Sequence, residues 1–600
     1  MDVNASSSAD SAPDAPAVDT PLTDDRSPCS GTSSRIAQVS WKEWQLFVLL
    51  AFVCLAYFSR LSDLTLRGEE TRRGLIAREM LETGDWIIPR TQGVPLFSRP
   101  PLQNWIIASL AIIRGDVDSV TLRLPSVCAI LLTSILIYRY ARLFLQPLGA
   151  LAAGLAYVSM VQVLELGRMG ETDALFTLFV SGALLTWHGG LSKGASLYWI
   201  WCVGYALSAL GTLTKGPQAP IYFVAPVGLY LLATRKWRVA FSPAHLAGIA
   251  TFAAVLGTWQ VPCVMQVGLE GVKKMYITDV GHRFIDANWF SFGEHLVAYP
   301  LELLACLLPW SALLIVWFNR DFRRTLGPSK DFALFLAISL VATFPSVWFP
   351  PGSRPRYFMS LYPCLSTLIG LAVQRVALAA RSEAWWIVWP IFVRILSMAM
   401  VVMGLGFFGI SVARVDFWLA QPIWVATLYV IAAGALAWQA WRAVGSRRSP
   451  LTALLCIAAF FGISNVSVVM NAMQNSTVDI EGSIAELKKQ LPPGTKLISF
   501  NVTHHLFTFY YRDTIPVVPW PENGDVEESK APYFCADVRE FENGRDLPFR
   551  WRPVTEICCD RHKMTVPRIR VVIGRRQDIP EPCQAATAQA DSSANRPHAN

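Results

Sequence analysis

Two adjacent carboxylates followed by arginines are the residues of this sequence whose types and spacing best suit acid–base chemistry. Glu69 and Glu70 come two residues before Arg72 and Arg73 in the segment GEETRRGLIAREMLETGD. A carboxylate beside arginines stays ionised and can accept the proton of an attacking hydroxyl group. We therefore expect Glu69 or Glu70 to act as a base. The alternative is a solvated loop with incidental ion pairs.

Further polar residues stand where apolar runs begin or end. A polar cluster in RMGETDALF consists of Arg168, Glu171 and Asp173. Asp173 opens an apolar run, where an ionised carboxylate is costly unless it is used. Lys215 lies in LTKGP, where a helix should break. Arg354, Arg356 and Tyr357 form a cationic fork suited to a phosphate group. The alternatives are a polar membrane boundary, a snorkelling lysine and interfacial anchoring.

The composition defines the class of protein that must position these residues. Of the 600 residues, 53% are hydrophobic and only 16% are charged. These values indicate a polytopic membrane protein. We attribute the net charge of +8 to cytoplasmic Lys and Arg loops and predict no nucleic-acid partner.

Apolar runs of about 17 to 25 residues predict about thirteen transmembrane helices. Basic loops between the runs all fall on the side of the N-terminus, which we take as cytoplasmic, so the polar residues above collect on the opposite side. The predicted spans are 43–58, 119–141, 147–165, 172–189, 197–213, 217–233, 243–264, 296–317, 331–350, 356–377, 385–410, 421–441 and 451–470.

The segment 60–105 must lie outside the hydrocarbon core, because it carries thirteen charges between Arg60 and Arg99. At about 3 kcal/mol per charge, burying it in lipid would cost tens of kcal/mol. Within it, TRRGLIAREMLETGD predicts a short amphipathic helix that ends at Gly84. The run 102–113 is too short to span and predicts an interfacial or re-entrant helix.

The chain divides by composition into four parts. Residues 1–40 predict a disordered cytoplasmic tail, 41–470 the transmembrane domain, 471–577 a small non-cytoplasmic α/β domain, and 578–600 a second disordered tail. In the third part, TVDIEGSIAELKKQL predicts a helix. The stretches KLISF, TIPVVPW and RIRVVIG predict strands.

The stretch GEETRRGLIAREMLETGDWIIPRTQGVPLFSRPPLQNW resembles the first outer loop of a known superfamily. These are the C-type membrane glycosyltransferases that include the protein O-mannosyltransferases and, more closely, the 4-amino-4-deoxy-L-arabinose lipid A transferases. Those proteins show an acidic pair, an Arg, AREM, GDW and a KPPL-x-x-W ending. The resemblance continues through ETDALF at 171–176, LTKGP at 213–217, and RY with LYP within 356–363.

The resemblance implies an inverting transferase with a polyprenyl-phosphate sugar donor, whose base is the first acidic residue of the pair. That residue is Glu69 here, where the family usually has Asp, and Glu70 is the fallback. Arg99 stands in place of a Lys and can still bind phosphate. Ser98 stands in place of a Glu that resembles a metal ligand, which argues against carrying over a metal site.

The sequence thus predicts a polytopic α-helical membrane protein with a small C-terminal α/β domain. It would move a sugar from a polyprenyl-phosphate donor to a lipid A-like or other envelope acceptor, on the non-cytoplasmic face of a bacterial inner membrane. The alternatives are a protein O-mannosyltransferase-like enzyme, a transporter or flippase of lipid-linked sugars, and a nonenzymatic assembly factor. No cofactor and no metal site are predicted, with dependence on a divalent metal left open. The candidate catalytic residues are Glu69, Glu70 and Asp173, and the candidate phosphate-binding residues are Arg72, Arg99, Lys215, Arg354, Arg356 and Tyr357.

Overall fold

The structure of the chain is a computed structural model. It describes residues 43–281, 289–413, 418–444, 449–521, 531–560, 563 and 567–579. The predicted tail at 1–40 and almost all of that at 578–600 lie outside these residues.

Most of the described chain up to residue 476 is helical. Its α-helices, in chain order, are α1 (Trp44–Val53), α2 (Glu70–Thr83), α3 (Leu102–Arg114), α4 (Ser119–Ala141), α5 (Pro147–Ser159), α6 (Val161–Leu166), α7 (Thr172–Ser192), α8 (Leu197–Lys215), α9 (Gln218–Ala233), α10 (Pro243–Gly281), α11 (Trp289–Cys306), α12 (Arg320–Arg324), α13 (Lys330–Thr343), α14 (Pro345–Trp348), α15 (Tyr362–Ala377), α16 (Val388–Val412), α17 (Ile423–Arg442), α18 (Ser449–Ser464) and α19 (Met470–Ser476).

The apolar helices support a polytopic membrane protein. Within the described ranges, nine helices are long and apolar enough to cross a membrane, or ten if one bent pair counts as a single span. The predicted span 119–141 coincides with α4. Shorter apolar helices include Trp44–Phe58, Pro147–Ser159 and Gln218–Ala233. Thirteen spans would require these three and the bent pair to cross as well, so that count stays a prediction.

Two of the predicted spans are not continuous helices. In the run 147–165, α5 and α6 are separated at Met160, whose ψ of 135° is extended rather than helical. In the run 296–317, the helices Phe292–Cys306 and Trp310–Phe318 meet at an angle of 117°. Proline at position 309 lacks the backbone N–H that a continuous helix needs. Hydropathy alone does not record such breaks.

The segment 60–105 contains α2, a short hairpin and the start of α3. The hairpin pairs β1 (Arg90–Thr91) with β2 (Val94–Pro95). Gly84 ends α2 as predicted: it adopts a φ of 73°, and its N–H donates to the carbonyl of Met80. The buried side of α2 includes Leu75, Ile76 and Met80, which is the predicted apolar stripe.

The C-terminal part contains a five-stranded mixed sheet with helices packed on it. The strands run in the order β4-β3-β5-β7-β6. Strand β3 pairs in parallel with β4 and β5, whereas β7 is antiparallel to β5 and β6. The predicted helix and three strands are present, and β5 and β6 were not predicted. The elements are α20 (Ile480–Gln490), β3 (Leu497–Phe500), α21 (His505–Tyr511), β4 (Val517–Val518), β5 (Tyr533–Asp537), α22 (Val538–Glu542), β6 (Trp551–Cys558) and β7 (Arg570–Arg576).

Candidate active site

Glu69 is the residue immediately before α2, and its carboxylate is accessible. Its Oε2 lies 2.6 Å from Nη1 of Arg72, and the Glu69 side chain is 33% exposed. The carbonyl oxygen of Glu69 accepts a hydrogen bond from the N–H of Arg73, which continues the first turn of the helix. In the described part of the chain, Arg72 is the ion-pair partner of Glu69. One carboxylate oxygen therefore remains available to a substrate.

Glu70 is fully buried, and its carboxylate is saturated by protein donors. Its Oε1 accepts from Nε of Arg123 at 2.8 Å and from the N–H of Gly170 at 2.8 Å. Its Oε2 accepts from Nη2 of Arg123 at 3.1 Å and from the N–H of Arg67 at 2.9 Å. Burial alone would raise the pKa of Glu70, but Arg123 and the other donors outweigh burial and lower it. Glu70 therefore stays ionised, and its ion pair with Arg123 links α2 to α4.

Asp173 and Lys215 form a buried ion pair between α7 and α8. Nζ of Lys215 lies 2.5 Å from Oδ1 of Asp173, and each side chain is 4% exposed. The ammonium group also lies 5.1 Å from the ring centroid of Tyr357 and 5.4 Å from that of Phe176. Such cation–π contacts hold the ammonium group without neutralising it.

A second ion pair joins the start of α7 to the segment after α14. Nη1 of Arg356 lies 2.8 Å from Oε2 of Glu171. Oε1 of Glu171 in turn accepts from the N–H of Glu69 at 3.5 Å. Burial and the adjacent Asp173 raise the pKa of Glu171. Glu171 thus links the acidic pair to the predicted cationic fork.

Several guanidinium groups in this region have a buried nitrogen that finds no hydrogen-bond partner among the residues that the structure describes. They are Nε of Arg73, Nη1 of Arg99 and Nε of Arg356. Arg99 is close enough to Arg73, Lys215 and Asp173 to interact with each electrostatically. Burial, followed by the charge of Arg99, lowers the pKa of Arg73 to about 10, so Arg73 is still protonated at neutral pH. Buried donors of this kind are normally paired, which indicates that an anionic partner belongs here.

The charges of this cluster do not balance. Five cations face three carboxylates, which leaves an excess of two positive charges. A phosphate group, with two negative charges as a monoester, matches this excess and the geometry of guanidinium donors. The cations are Arg72, Arg73, Arg99, Lys215 and Arg356, and the carboxylates are Glu69, Glu171 and Asp173.

The structure brings most of the predicted residues together, with one exception. Arg354 is exposed, and it forms no ion pair with a carboxylate of the described residues. Two residues of the network were not among the predicted site residues: Arg73 and Arg123. Arg73 lies beside Arg72, so sequence proximity was an available signal, and Glu171 belongs to the polar cluster predicted at 168–173. Arg123 lies inside an apolar run, and a charge in such a place is itself a functional signal.

The residues do not fit the metal site suggested by the related transferases. Position 98 is a serine and supplies no carboxylate. Within the described residues, no group of three or more His, Cys, Asp or Glu side chains could hold a metal ion. His282, a lone histidine from which the sequence predicts no metal site, lies outside the described residues. No step is assigned to a metal.

Comparison with known proteins adds a family match. Residues 98–259 match the family described as dolichyl-phosphate-mannose-protein mannosyltransferase. A protein of Edwardsiella ictaluri named undecaprenyl phosphate-alpha-4-amino-4-deoxy-L-arabinose arabinosyl transferase is 28% identical over 51% of this chain and 55% of its own length. A protein of the same name from Pseudomonas aeruginosa strain UCBPP-PA14 is 29% identical over 52% of this chain and 56% of its own length. The chain thus spans about half the length of these relatives.

Comparison of structures extends the likeness to the whole fold. The crystal structure of ArnT from Cupriavidus metallidurans bound to undecaprenyl phosphate matches with a TM-score of 0.64 and 18% identity. The match covers 90% of this chain and 99% of that chain. The apo structure of the same protein matches with a TM-score of 0.65 and 19% identity. The chain therefore has the fold of the Cupriavidus ArnT structure. Together, these matches confirm the predicted resemblance to the superfamily of protein O-mannosyltransferases and aminoarabinose transferases.

Proposed function

We propose that this protein is a glycosyltransferase that moves a sugar from a polyprenyl-phosphate donor to a lipid or other envelope acceptor. The observation that carries the proposal is the cluster of cations with unpaired buried nitrogens beside the accessible carboxylate of Glu69. The names of the relatives and the undecaprenyl phosphate bound to the Cupriavidus protein support the class of donor. An amino-arabinose is the sugar named for the relatives, and lipid A-like molecules are the acceptors we favour.

The proposed reaction is a single displacement with inversion at the anomeric carbon. The acceptor hydroxyl oxygen forms a bond to that carbon as the bond to the phosphate oxygen breaks. Glu69 takes the hydroxyl proton as general base. The phosphodiester of the donor leaves as a phosphomonoester, which gains negative charge that the cations stabilise. Arg99, Lys215 and Arg356 are the residues we assign to this phosphate, with Tyr357 beside two of them.

The two other predicted catalytic residues receive supporting roles in this proposal. Glu70 has no free acceptor position, so we assign it to positioning α2 and not to proton transfer. Asp173 is paired with Lys215 and holds that ammonium group toward the phosphate. Arg72 contacts the base itself and can orient it. Arg354 is exposed, so we assign it no contact with the donor phosphate.

The proposal places the site on the non-cytoplasmic face of a bacterial inner membrane. The N-terminus is then cytoplasmic, the spans number about thirteen within 41–470, and the α/β domain at 471–577 is extracytoplasmic. The distribution of basic loops supports this orientation.

The test is mass spectrometry of envelope lipids and glycoproteins from cells that carry wild-type protein, Glu69→Gln or Glu82→Gln. Glu82 is an exposed carboxylate on the same helix and serves as the matched control. We expect Glu69→Gln alone to accumulate the polyprenyl-phosphate sugar and to lose one glycosylated product, which would identify both substrates. Normal product in the Glu69→Gln cells would refute Glu69 as the base. Carrier sugar stranded on the cytoplasmic leaflet of cells without the protein would instead favour a flippase.

A further inference from the structure

Helix α21 of the C-terminal part lies directly on α2. Oγ1 of Thr71 and Nδ1 of His505 share a hydrogen bond of 2.7 Å. The ring of Phe509 packs at Gly74, and the guanidinium group of Arg78 lies 4.8 Å from the centroid of that ring. Residues 71, 74 and 78 lie on one face of a helix because they are three and seven positions apart. The C-terminal part therefore contacts α2 along a continuous stripe.

The contact between Gly74 and Phe509 is too close for any other residue. A Cβ atom added at Gly74 would lie 2.5 Å from Cε2 of Phe509. The Phe509 side chain is 5% exposed and packs in the same apolar cluster as Leu75 and Leu122. Side-chain packing of this kind fixes both the distance and the rotation of the two helices.

Further polar contacts hold α21 on either side of this stripe. The hydroxyl oxygen of Tyr510 accepts a hydrogen bond of 3.0 Å from the N–H of Leu66, three residues before the acidic pair. Arg512, which follows α21, lies 3.3 Å from Asp116. The same short helix thus contacts the chain before α2, α2 itself and the turn after α3.

The histidines at the start of α21 lie beside the proposed base. Thr71 is in the first turn of α2, two residues after Glu69. The ring of His504 stacks on His505 at a centroid distance of 4.3 Å and interacts electrostatically with Arg72 and Glu69. His505 is neutral in the folded chain, because burial and the nearby cations lower its pKa to about 2.

We propose that α21 is a positioning element for the base: the His505–Thr71 hydrogen bond and the Phe509–Gly74 contact fix the first turn of α2 and, with it, the carboxylate of Glu69. The inference rests on the proposed function and assigns a role to the C-terminal part. That part is required for proton transfer and not only for covering the site. His505 is a positioning residue, since it acts on Glu69 through Thr71.

The test measures two quantities in full-length protein: the rate of sugar transfer, and hydrogen–deuterium exchange of the backbone amides of 70–83. The variants are His505→Ala, Thr71→Val, their double variant and His505→Asn, whose amide can replace Nδ1. Thr83→Val is the control, because Thr83 is an exposed hydroxyl at the far end of α2. We expect both single variants to lower kcat about tenfold, which corresponds to one hydrogen bond, with an unchanged KM for the donor.

Three further results are expected. The double variant is no worse than either single variant, His505→Asn recovers most of the rate, and exchange of the first turn of α2 rises in His505→Ala. The inference would be overturned if folded His505→Ala had the kcat and the amide exchange of wild type. It would also be overturned if the loss of rate only paralleled a lower Tm and His505→Asn did not recover the rate. If wild-type protein shows no transfer at all, the proposed function fails, and the exchange measurement still decides whether α21 orders α2.

Discussion

The carboxylate of Glu70 and the guanidinium group of Arg123 meet through two contacts, of 2.8 and 3.1 Å, with side chains that are 0% and 5% exposed. The same guanidinium group donates to the carbonyl oxygens of Leu61 and Leu64. This pair therefore fastens the loop before α2, α2 itself and α4 to one another. It holds the acidic pair in place and, in the proposed reaction, leaves proton transfer to Glu69.

Loss of this pair should destabilise the folded protein more than loss of a surface pair. Arg123→Met leaves a buried carboxylate without its counter-ion, at an expected cost of about 3–5 kcal/mol. Arg114→Met is the control, because the Arg114–Asp118 pair is 39% and 37% exposed, and exposed pairs contribute about 0–1 kcal/mol. Thermal unfolding in detergent gives both values. Equal shifts in Tm would contradict the structural role of Arg123.

The identity of the base predicts a ranking of substitutions at position 69. Glu69→Asp keeps a carboxylate and matches the residue usual in the related transferases, so it should retain measurable transfer. Glu69→Gln removes the proton acceptor and should lower kcat by about 10²–10⁴-fold, the usual contribution of general base catalysis. Single-turnover assays with a polyprenyl-phosphate sugar measure both rates. Similar rates for the two variants would remove Glu69 from the reaction.

The proposed role of Arg99 in phosphate binding predicts that position 99 must carry a positive charge. Arg99→Lys keeps the cation and should bind the donor nearly as well as wild type. Arg99→Met should raise the donor KM about 10- to 100-fold, the equivalent of losing one charged hydrogen bond. Arg90→Met, which removes a partly exposed cation of the hairpin paired with Asp85, is the control. Normal donor binding by Arg99→Met would show that Nη1 of Arg99 does not bind the donor phosphate.

Protonation of His505 should weaken the fold at low pH. Burial, then His504, Arg72 and Arg73, lower the pKa of His505 to about 2, whereas an unfolded histidine has a pKa of about 6.5. Below about pH 6.5 the unfolded chain binds a proton that the folded chain does not, so stability falls as the pH falls. Burial lowers the pKa of His504 as well, with the same sign.

The measurement is Tm as a function of pH. Wild-type Tm should begin to fall near the unfolded pKa of about 6.5 and keep falling toward the folded pKa of about 2, and the fall should be smaller in His505→Asn. An identical pH dependence in the two proteins would show that His505 titrates alike in the folded and unfolded chains.

The close approach at Gly74 predicts a compensating pair of substitutions. Gly74→Ala should cost about 1–3 kcal/mol through overpacking against the ring of Phe509. Phe509→Leu removes the clashing ring atoms, so the double variant should be more stable than the sum of the two single effects predicts. Thermal unfolding measures all three variants. Strictly additive effects would mean that the two residues are not in contact.

Much of the local structure could be predicted from the sequence, because its causes are local. Helix α2 follows from its apolar stripe and from the glycine that ends it, and α4 follows from a mostly apolar run of spanning length. The breaks within 147–165 and 296–317 escaped prediction, since hydropathy reports burial in lipid and not backbone direction. The acidic pair was visible as a site because carboxylates beside arginines are a chemical signal in any fold.

Only the tertiary structure decided which charges meet. Residue type alone did not separate Glu69 from Glu70, and only the family resemblance favoured Glu69. In the structure, Arg123, 53 residues after Glu70, saturates Glu70 and leaves Glu69 accessible. Pairing of Glu171 with Arg356 across 185 residues, and the docking of α21 on α2, depend likewise on how distant helices pack. The sequence by itself determined which residues can carry charge and where helices form. Packing determined their partners, because ion pairs and hydrogen bonds are set by distances of a few ångströms that no local pattern encodes.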